Sequence, residues 1–305
     1  MARYVLQRVF SLIVTLIAIS VLTFWLMYNV PGGPFSENKR VLEGAQRENI
    51  LRRYGMVGPI YQRYFKYMGD ALRGEFGYSF SNPTEKVQDL VMRVWGPTLT
   101  LGLITIVIAF PLGITLGIVA AKNQESWVDV SINTAATANT VIPSFVIALF
   151  LILAFSARLK WLPAGGWGEA KQMILPVTAY MLGPTSTLIR YTRGLVLDEY
   201  HHDYVRTARA KGVPERTILF KHVLKNIAIP LSTVFGPTIP LLVTGSVFIE
   251  TTFRIPGLGQ YLVSSSTNRD YPMIMALTLM TATVWGVTLL ATDILYVKLD
   301  PRIEL

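Results

Sequence analysis

Six uncharged runs, each at least eighteen residues long, limit what this chain can become more than anything else in it. They cover 9–28, 94–121, 130–157, 172–189, 226–249 and 271–292. An α-helix rises 1.5 Å per residue, so about twenty apolar residues cross the ~30 Å hydrocarbon layer of a bilayer. Soluble domains carry about 25% charged residues; these 305 residues carry 15%, with 51% hydrophobic. The expected fold is an all-α integral membrane protein with six transmembrane helices. The run at 172–189 is the weakest of the six, at the lower limit of length and interrupted by Pro176 and Pro184.

The first run could be a signal peptide, since Arg3 and Arg8 precede it. Its apolar stretch is too long for that, and Asn29-Val30-Pro31-Gly32-Gly33-Pro34 is not a small-x-small cleavage site, so we read a retained span. Orientation follows from Lys and Arg in the short loops. With the N-terminus inside, thirteen fall on the inner side and five in the short outer loops, which favours N-in, C-in. The net charge of +9 is thus explained by placement at a membrane, and no nucleic-acid partner is expected.

The chain divides at about residue 95. Residues 1–95 hold the first span and an external segment; residues 96–305 hold the other five spans and a cytoplasmic loop at 190–228. Within the external segment, 59–72 reads as a helix. Asn82-Pro83-Thr84-Glu85 reads as a helix start, with Asn82 as cap, and Val87, Leu90, Val91 and Val94 form an apolar stripe into the second span. This segment either packs as a small cap on the spans or guides a soluble partner outside.

Pro111, Pro143, Pro176, Pro184, Pro230, Pro237 and Pro240 lie in or at the ends of spans, and Asn133, Asn139, Thr238, Thr244 and Ser246 supply polar atoms there. No span interior holds an acid or a base, as a proton-driven carrier would require. Glu250 and Asp293 sit at span ends, where a solvated or capping role is the default. There is no cysteine, which excludes disulfides and thiolate metal sites. His201-His202-Asp203 lacks the further ligands a metal site needs. The spans contain no His-Glu-x-x-His, paired Asp or Ser-His arrangement, so no enzyme activity is expected.

One charged stretch stands out between two spans. Asp203 to Glu215 is helical in composition and basic, and Gly212 and Pro214 divide it into two short helices. Phe220, Val223, Leu224 and Ile227 follow as an apolar stripe. Three readings fit the stretch: it lies on anionic lipid, it is a solvated loop, or it inserts into a cytoplasmic subunit. In the last case Ala208, Ala210 and Gly212 allow close approach, while Arg206, Arg209 and Lys211 pair with carboxylates.

Tyr204-Val205-Arg206-Thr207-Ala208-Arg209-Ala210-Lys211-Gly212 resembles the coupling-loop signature of ATP-binding-cassette importer permeases of the peptide and nickel subgroup. Similar to that subgroup are also Val30-Pro31-Gly32-Gly33-Pro34, Ile142-Pro143-Ser144-Phe145, Trp161-Leu162-Pro163-Ala164-Gly165-Gly166 and Arg190-Tyr191-Thr192-Arg193-Gly194. Glu250, Pro256-Gly257-Leu258-Gly259-Gln260, Asn268-Arg269-Asp270-Tyr271-Pro272 and Leu299-Asp300-Pro301 extend the likeness over essentially the whole chain. Two positions depart from the general permease signature: Arg206-Thr207-Ala208 stand where it begins Glu-Ala-Ala, and Lys225 occupies a proline position.

The resemblance implies a permease subunit of a binding-protein-dependent importer in a prokaryotic cell membrane, most like the oligopeptide type, with dipeptides or nickel as alternative cargo. It implies a second homologous permease, two ATP-binding subunits and an extracellular or periplasmic solute-binding protein as partners. It also implies ATPase coupling through Arg206, Thr207, Ala208, Arg209, Ala210, Lys211 and Gly212. No G-x-x-x-x-G-K-[ST] occurs, so ATP and Mg are expected on the partner subunits and no cofactor in this chain. A self-contained secondary carrier is the rival reading.

Overall fold

A computed structural model of the protein describes residues 2–29 and 58–299. Val30-Pro31-Gly32-Gly33-Pro34 and Asp300-Pro301 therefore lie outside the described residues. Helices make up the described fold: α1 (Ala2–Asn29), α2 (Ile60–Ala71), α3 (Val87–Lys122), α4 (Trp127–Val141), α5 (Ser144–Leu151), α6 (Ala170–Tyr200) and α7 (Asp203–Ala210). After them come α8 (Glu215–Val243), α9 (Val247–Phe253), α10 (Leu258–Thr267) and α11 (Tyr271–Leu299). A π-helical turn, Ile152–Arg158, extends α5, and another, Ile218–Val223, sits inside α8.

By length and apolar composition, four helices can cross a membrane: Val5–Met27 of α1, α3, α8 and Tyr271–Ile294 of α11. A bent pair, α4 with Ser144–Arg158, makes up to five. The uninterrupted third span expected at 130–157 is not what forms. The chain bends by 106° between α4 and α5. Ile142 is extended (φ −83°, ψ 122°) because the ring of Pro143 crowds the residue before it out of the helical region. The fifth run also stops early: α8 ends at Val243, Gly245 turns with φ +86°, and Ser246 caps α9 by accepting from Ile249 N. Asn82–Glu85 is a turn rather than a helix start, closed by Glu85 N donating to Asn82 O at 3.0 Å, and α3 begins at Val87.

α3 and α6 form the centre of the bundle. Gly113 and Gly117, four residues apart on α3, let α6 approach until a Cβ at either place would lie 2.6 Å from the Cβ of Leu188 or Thr192. In lipid, where apolar surface alone does not hold helices together, such small-residue contacts do. α6 is correspondingly enclosed, with Leu175, Val177, Ala179, Tyr180, Leu188, Ile189 and Val196 all buried. A helix shielded by protein has less need of apolar residues, which accounts for the weak hydropathy of 172–189.

α1 stands at the periphery, its Leu6, Phe10, Val14, Val21 and Leu22 exposed as a lipid-facing surface requires. It is fastened to α11 by Arg8 Nε and Asp293 Oδ2 at 3.1 Å, and to α2 by Ser20 Oγ and the Tyr64 hydroxyl at 2.7 Å. The first turns of α3 pack onto α10 and α11: Val87, Leu90, Val91 and Val94 share a buried cluster with Leu258, Met273, Ala276 and Leu277.

Candidate functional site

α7 is a helix of eight residues whose two faces have different fates. Val205 is fully buried, in a cluster with Ala121, Val196, Ile218, Leu219, Val223, Ile227 and Leu231, and Tyr204, Ala208 and Val213 pack against it. Arg206, Thr207, Arg209, Ala210, Lys211 and Gly212 are exposed. The seven residues read as a coupling surface thus divide. Six form one outward face, while Ala208 lies on the inner side and seats the helix.

The end of α7 is a Schellman cap. Val213 N donates to Ala208 O at 3.1 Å and Gly212 N to Arg209 O at 2.9 Å, with Gly212 at φ +75°. This pattern closes the open carbonyls of the last turn, and Ala208 and Val213 on its two sides both pack against the same buried cluster. A Cβ on Gly212 would meet nothing within 4 Å, so backbone conformation, not space inside this chain, requires the glycine.

Arg209, expected to pair with carboxylates of a partner, already pairs within the chain. Its Nε and Nη2 reach Glu215 Oε1 and Oε2 at 2.5 and 3.3 Å across the Gly212 turn, and its guanidinium lies 5.2 Å from the centre of the Tyr200 ring. The hydrogen bond to Glu215 raises its pKa further. Arg206 is only loosely paired, with Asp203 at 3.7 Å and both side chains well exposed. The apolar stripe after the turn also differs. Phe220 is exposed, whereas Ile218, Leu219, Val223 and Ile227 are buried, because the π turn adds a residue per turn and shifts the inward face.

Polar contacts tie α7 to the bundle. The Tyr204 hydroxyl donates to Glu199 at the end of α6, and Asn226 Nδ2 of α8 donates to the same carboxylate at 3.4 Å. Burial first, and then this bond to Glu199, push the Tyr204 pKa up to about 12, so the hydroxyl stays a donor. Further along α6, Arg193 Nε and Nη2 meet Asp129 Oδ1 and Oδ2, each at 2.6 Å, a bidentate pair that holds the start of α4. Asp129 also accepts from Glu125 N at 3.0 Å and from Asn133. Asn139 Nδ2 donates to Ser186 Oγ at 2.8 Å, a second link between α4 and α6.

At the opposite end of the bundle are two buried carboxylates, and of the solvated or capping roles expected for Glu250 the structure shows the capping one. Glu250 is not solvated but fully buried. It accepts from Thr98 Oγ1 at 2.9 Å, Gly259 N at 2.7 Å and Gln260 N at 3.3 Å, while Leu258 N donates to Thr98 Oγ1 at 2.9 Å. It therefore caps α10 from a different helix and binds that cap to α3. Gly245 and Gly257 make room, since a Cβ there would lie 2.3 or 2.5 Å from its oxygens. Asp270, also buried, accepts from Ser79 Oγ, Phe80 N and Ser81 N, which anchors the external segment on the start of α11. The glycines of Pro256-Gly257-Leu258-Gly259 beside a lone acid were the available signal.

Residues 113–305 match the family described as binding-protein-dependent transport system inner membrane component, and residues 1–103 match its N-terminal region. The chain belongs to this family. It is 36% identical, over the full length of both chains, to the oligopeptide transport system permease protein OppB of Salmonella typhimurium. It is 36% identical to the dipeptide transport system permease protein DppB of Bacillus subtilis, covering 100% of this chain and 99% of the relative. Among solved structures, a chain of the methionine ABC transporter MetNI in an inward-facing conformation shares the fold, with a TM-score of 0.57 and 15% identity over 69% of this chain and 96% of that one. This protein is thus a multi-pass cell-membrane permease of an ABC importer, and it works with other components of such a transporter.

Proposed function

We propose that the chain is one of two permeases in a peptide importer, and that its exposed α7 face receives the stroke of a partner ATPase. The outward face of α7, capped by Gly212 and seated by Val205, carries this reading. Arg206 and Lys211 offer charge to the partner, Thr207 and Ala210 offer a low surface, and Arg209 with Glu215 fixes the turn. Motion at α7 then has bonded routes inward, through Glu199 to α6 and α8 and through Arg193 to α4. A bundle driven this way switches between two packings.

Six crossings, with both termini inside, agree with this scheme. α1, α3, α8 and α11 supply four, and α6 a fifth. The α4–α5 pair supplies the sixth as a broken span, because it follows α6 from one end to the other. Asp129 pairs with Arg193, Asn139 with Ser186, and Ala148 of α5 clusters with Leu175, Val177 and Tyr180. The full complex would add a second permease, two ATP-binding subunits carrying ATP and Mg, and an external solute-binding protein. Relatives named for oligopeptides and dipeptides support peptide cargo. Reconstitution tests the proposal: peptide uptake should require the ATPase chains and hydrolysable ATP, whereas uptake by the permeases alone would favour a self-contained carrier.

A further inference from the structure

A groove of about 630 Å³ runs between α1, α3 and α11 beneath the end of α2. Leu16 and Ile17 of α1, Trp95 of α3 and Met280 of α11 form its walls, with Met68 and Leu72 of α2 over one end. Its surface is almost wholly apolar. The wall is continuous with the lipid-facing side of α1, where Ile13 and Ile17 are exposed. The part of α1 involved is its middle, that of α3 is its first turns, and that of α11 runs from its second turn to its middle. The groove therefore descends from the membrane surface on the α2 side toward the middle of the bilayer.

The α3 wall also carries two polar side chains, Gln88 and Trp95. Gln88 Oε1 and Trp95 Nε1 are shielded from solvent and have no hydrogen-bond partner among the described residues. They lie on one face of α3, seven residues or about 10 Å apart along the axis. A shielded donor and acceptor left unmet are costly. A wholly apolar protein helix laid in the groove would leave both unmet. A bilayer amphiphile would not. Its hydrocarbon fills the apolar floor, and a modest side-chain rotation turns the Trp95 N–H to an ester oxygen and Gln88 to a head-group donor.

We propose that this groove is a lipid site that holds one acyl chain of a bilayer phospholipid, wedged between the first and last spans and under the external helix. The lipid adds to the contact between α1 and the rest of the bundle, which among the described residues includes the Arg8–Asp293 pair, apolar contacts with α11 and the Ser20–Tyr64 bond to α2. This site is independent of which cargo is carried and of how α7 is driven.

Photolabelling of the assembled transporter tests it. The complex is reconstituted in vesicles of phosphatidylethanolamine and phosphatidylglycerol containing a phospholipid with a diazirine in its acyl chain, irradiated, and the adducts are mapped by mass spectrometry. Leu16 in the groove and Val14 on the open face of α1 lie at nearly the same depth. Adducts at Leu16 and Met280 should exceed those at Val14 several-fold. Met280→Trp, which fills the groove, should lower Leu16 labelling to the Val14 level without changing Val14; Met68→Trp gives the same readout if the first variant does not assemble. Equal labelling of Leu16 and Val14, or labelling unaffected by filling, would overturn the proposal. So would a Leu16 protected while Val14 is labelled, since a protein segment or second subunit would then cover the groove.

Discussion

Gly212 shows how a residue can be read correctly for an incomplete reason. The sequence marks it as a break, and it is one, but the structure adds that it holds a left-handed backbone that closes α7. Gly212→Val should therefore cost about 1–2 kcal/mol through that conformation alone, and Gly212→Asn much less, because Asn tolerates it. If α7 is the coupling element, uptake should fall in the same order, Val well below Asn, while membrane insertion is unchanged. A radiolabelled-peptide uptake assay with a membrane-fraction blot checks both. Arg193 gives a second contrast. Its two bonds to the buried Asp129 match a planar guanidinium and not an ammonium. Arg193→Lys should lose most transport, and Arg193→Ala should lower the melting temperature as well, since an unpaired buried charge costs about 3–5 kcal/mol. The capping role of Glu250 was one of the two its place at a span end suggests, but its burial and its partners are not written in local sequence: its donors come from Thr98, far back in the chain, and from α10. Glu250→Ala should leave two amides unmet, at about 1–3 kcal/mol each if neither finds water, while the Thr98 hydroxyl keeps only its long bond to Val94 O. A thermal-shift measurement on the purified complex should show a drop of several degrees, and Glu250→Gln should retain part of the loss.

Elements were legible where length and apolar content decide them. α1, α3 and α11 form where long uncharged runs stand, and α2 forms within one residue of its expected ends. The breaks were not legible, and proline shows why. α3, α6 and α8 continue through Pro97, Pro111, Pro176, Pro184, Pro230, Pro237 and Pro240, whereas the chain bends sharply at Pro143 alone among them. A proline frees the carbonyl four residues before it, one bond per proline, and the remaining helical bonds on either side are enough to carry α3, α6 and α8 through. Replacing Pro143 by Ala should straighten the α4–α5 junction. Spin labels at Asn133 and Phe150 would then move apart by several ångströms, and an unchanged distance would mean that packing on α6, not the proline, sets the bend.

At the scale of the molecule, two polar systems sit at opposite ends of one bundle. At one end Tyr204, Glu199, Asn226, Arg193 and Asp129 join α7 to α6, α8 and α4. At the other, Glu250 and Asp270 bind short helices and the external segment to α3 and α11. The apolar helices between them were foreseeable from hydropathy; the pairing was not, because much of it joins residues 27 to 191 positions apart. The chain contains no cysteine, so a single introduced thiol reports without background. Ala210→Cys places that thiol on the open face of α7. In intact cells, a short bifunctional thiol reagent should join this position to an ATP-hydrolysing chain carrying its own engineered cysteines, with a yield that changes when nucleotide is trapped. Failure to capture any such chain, or modification of the introduced thiol by a membrane-impermeant reagent applied from outside, would contradict the account.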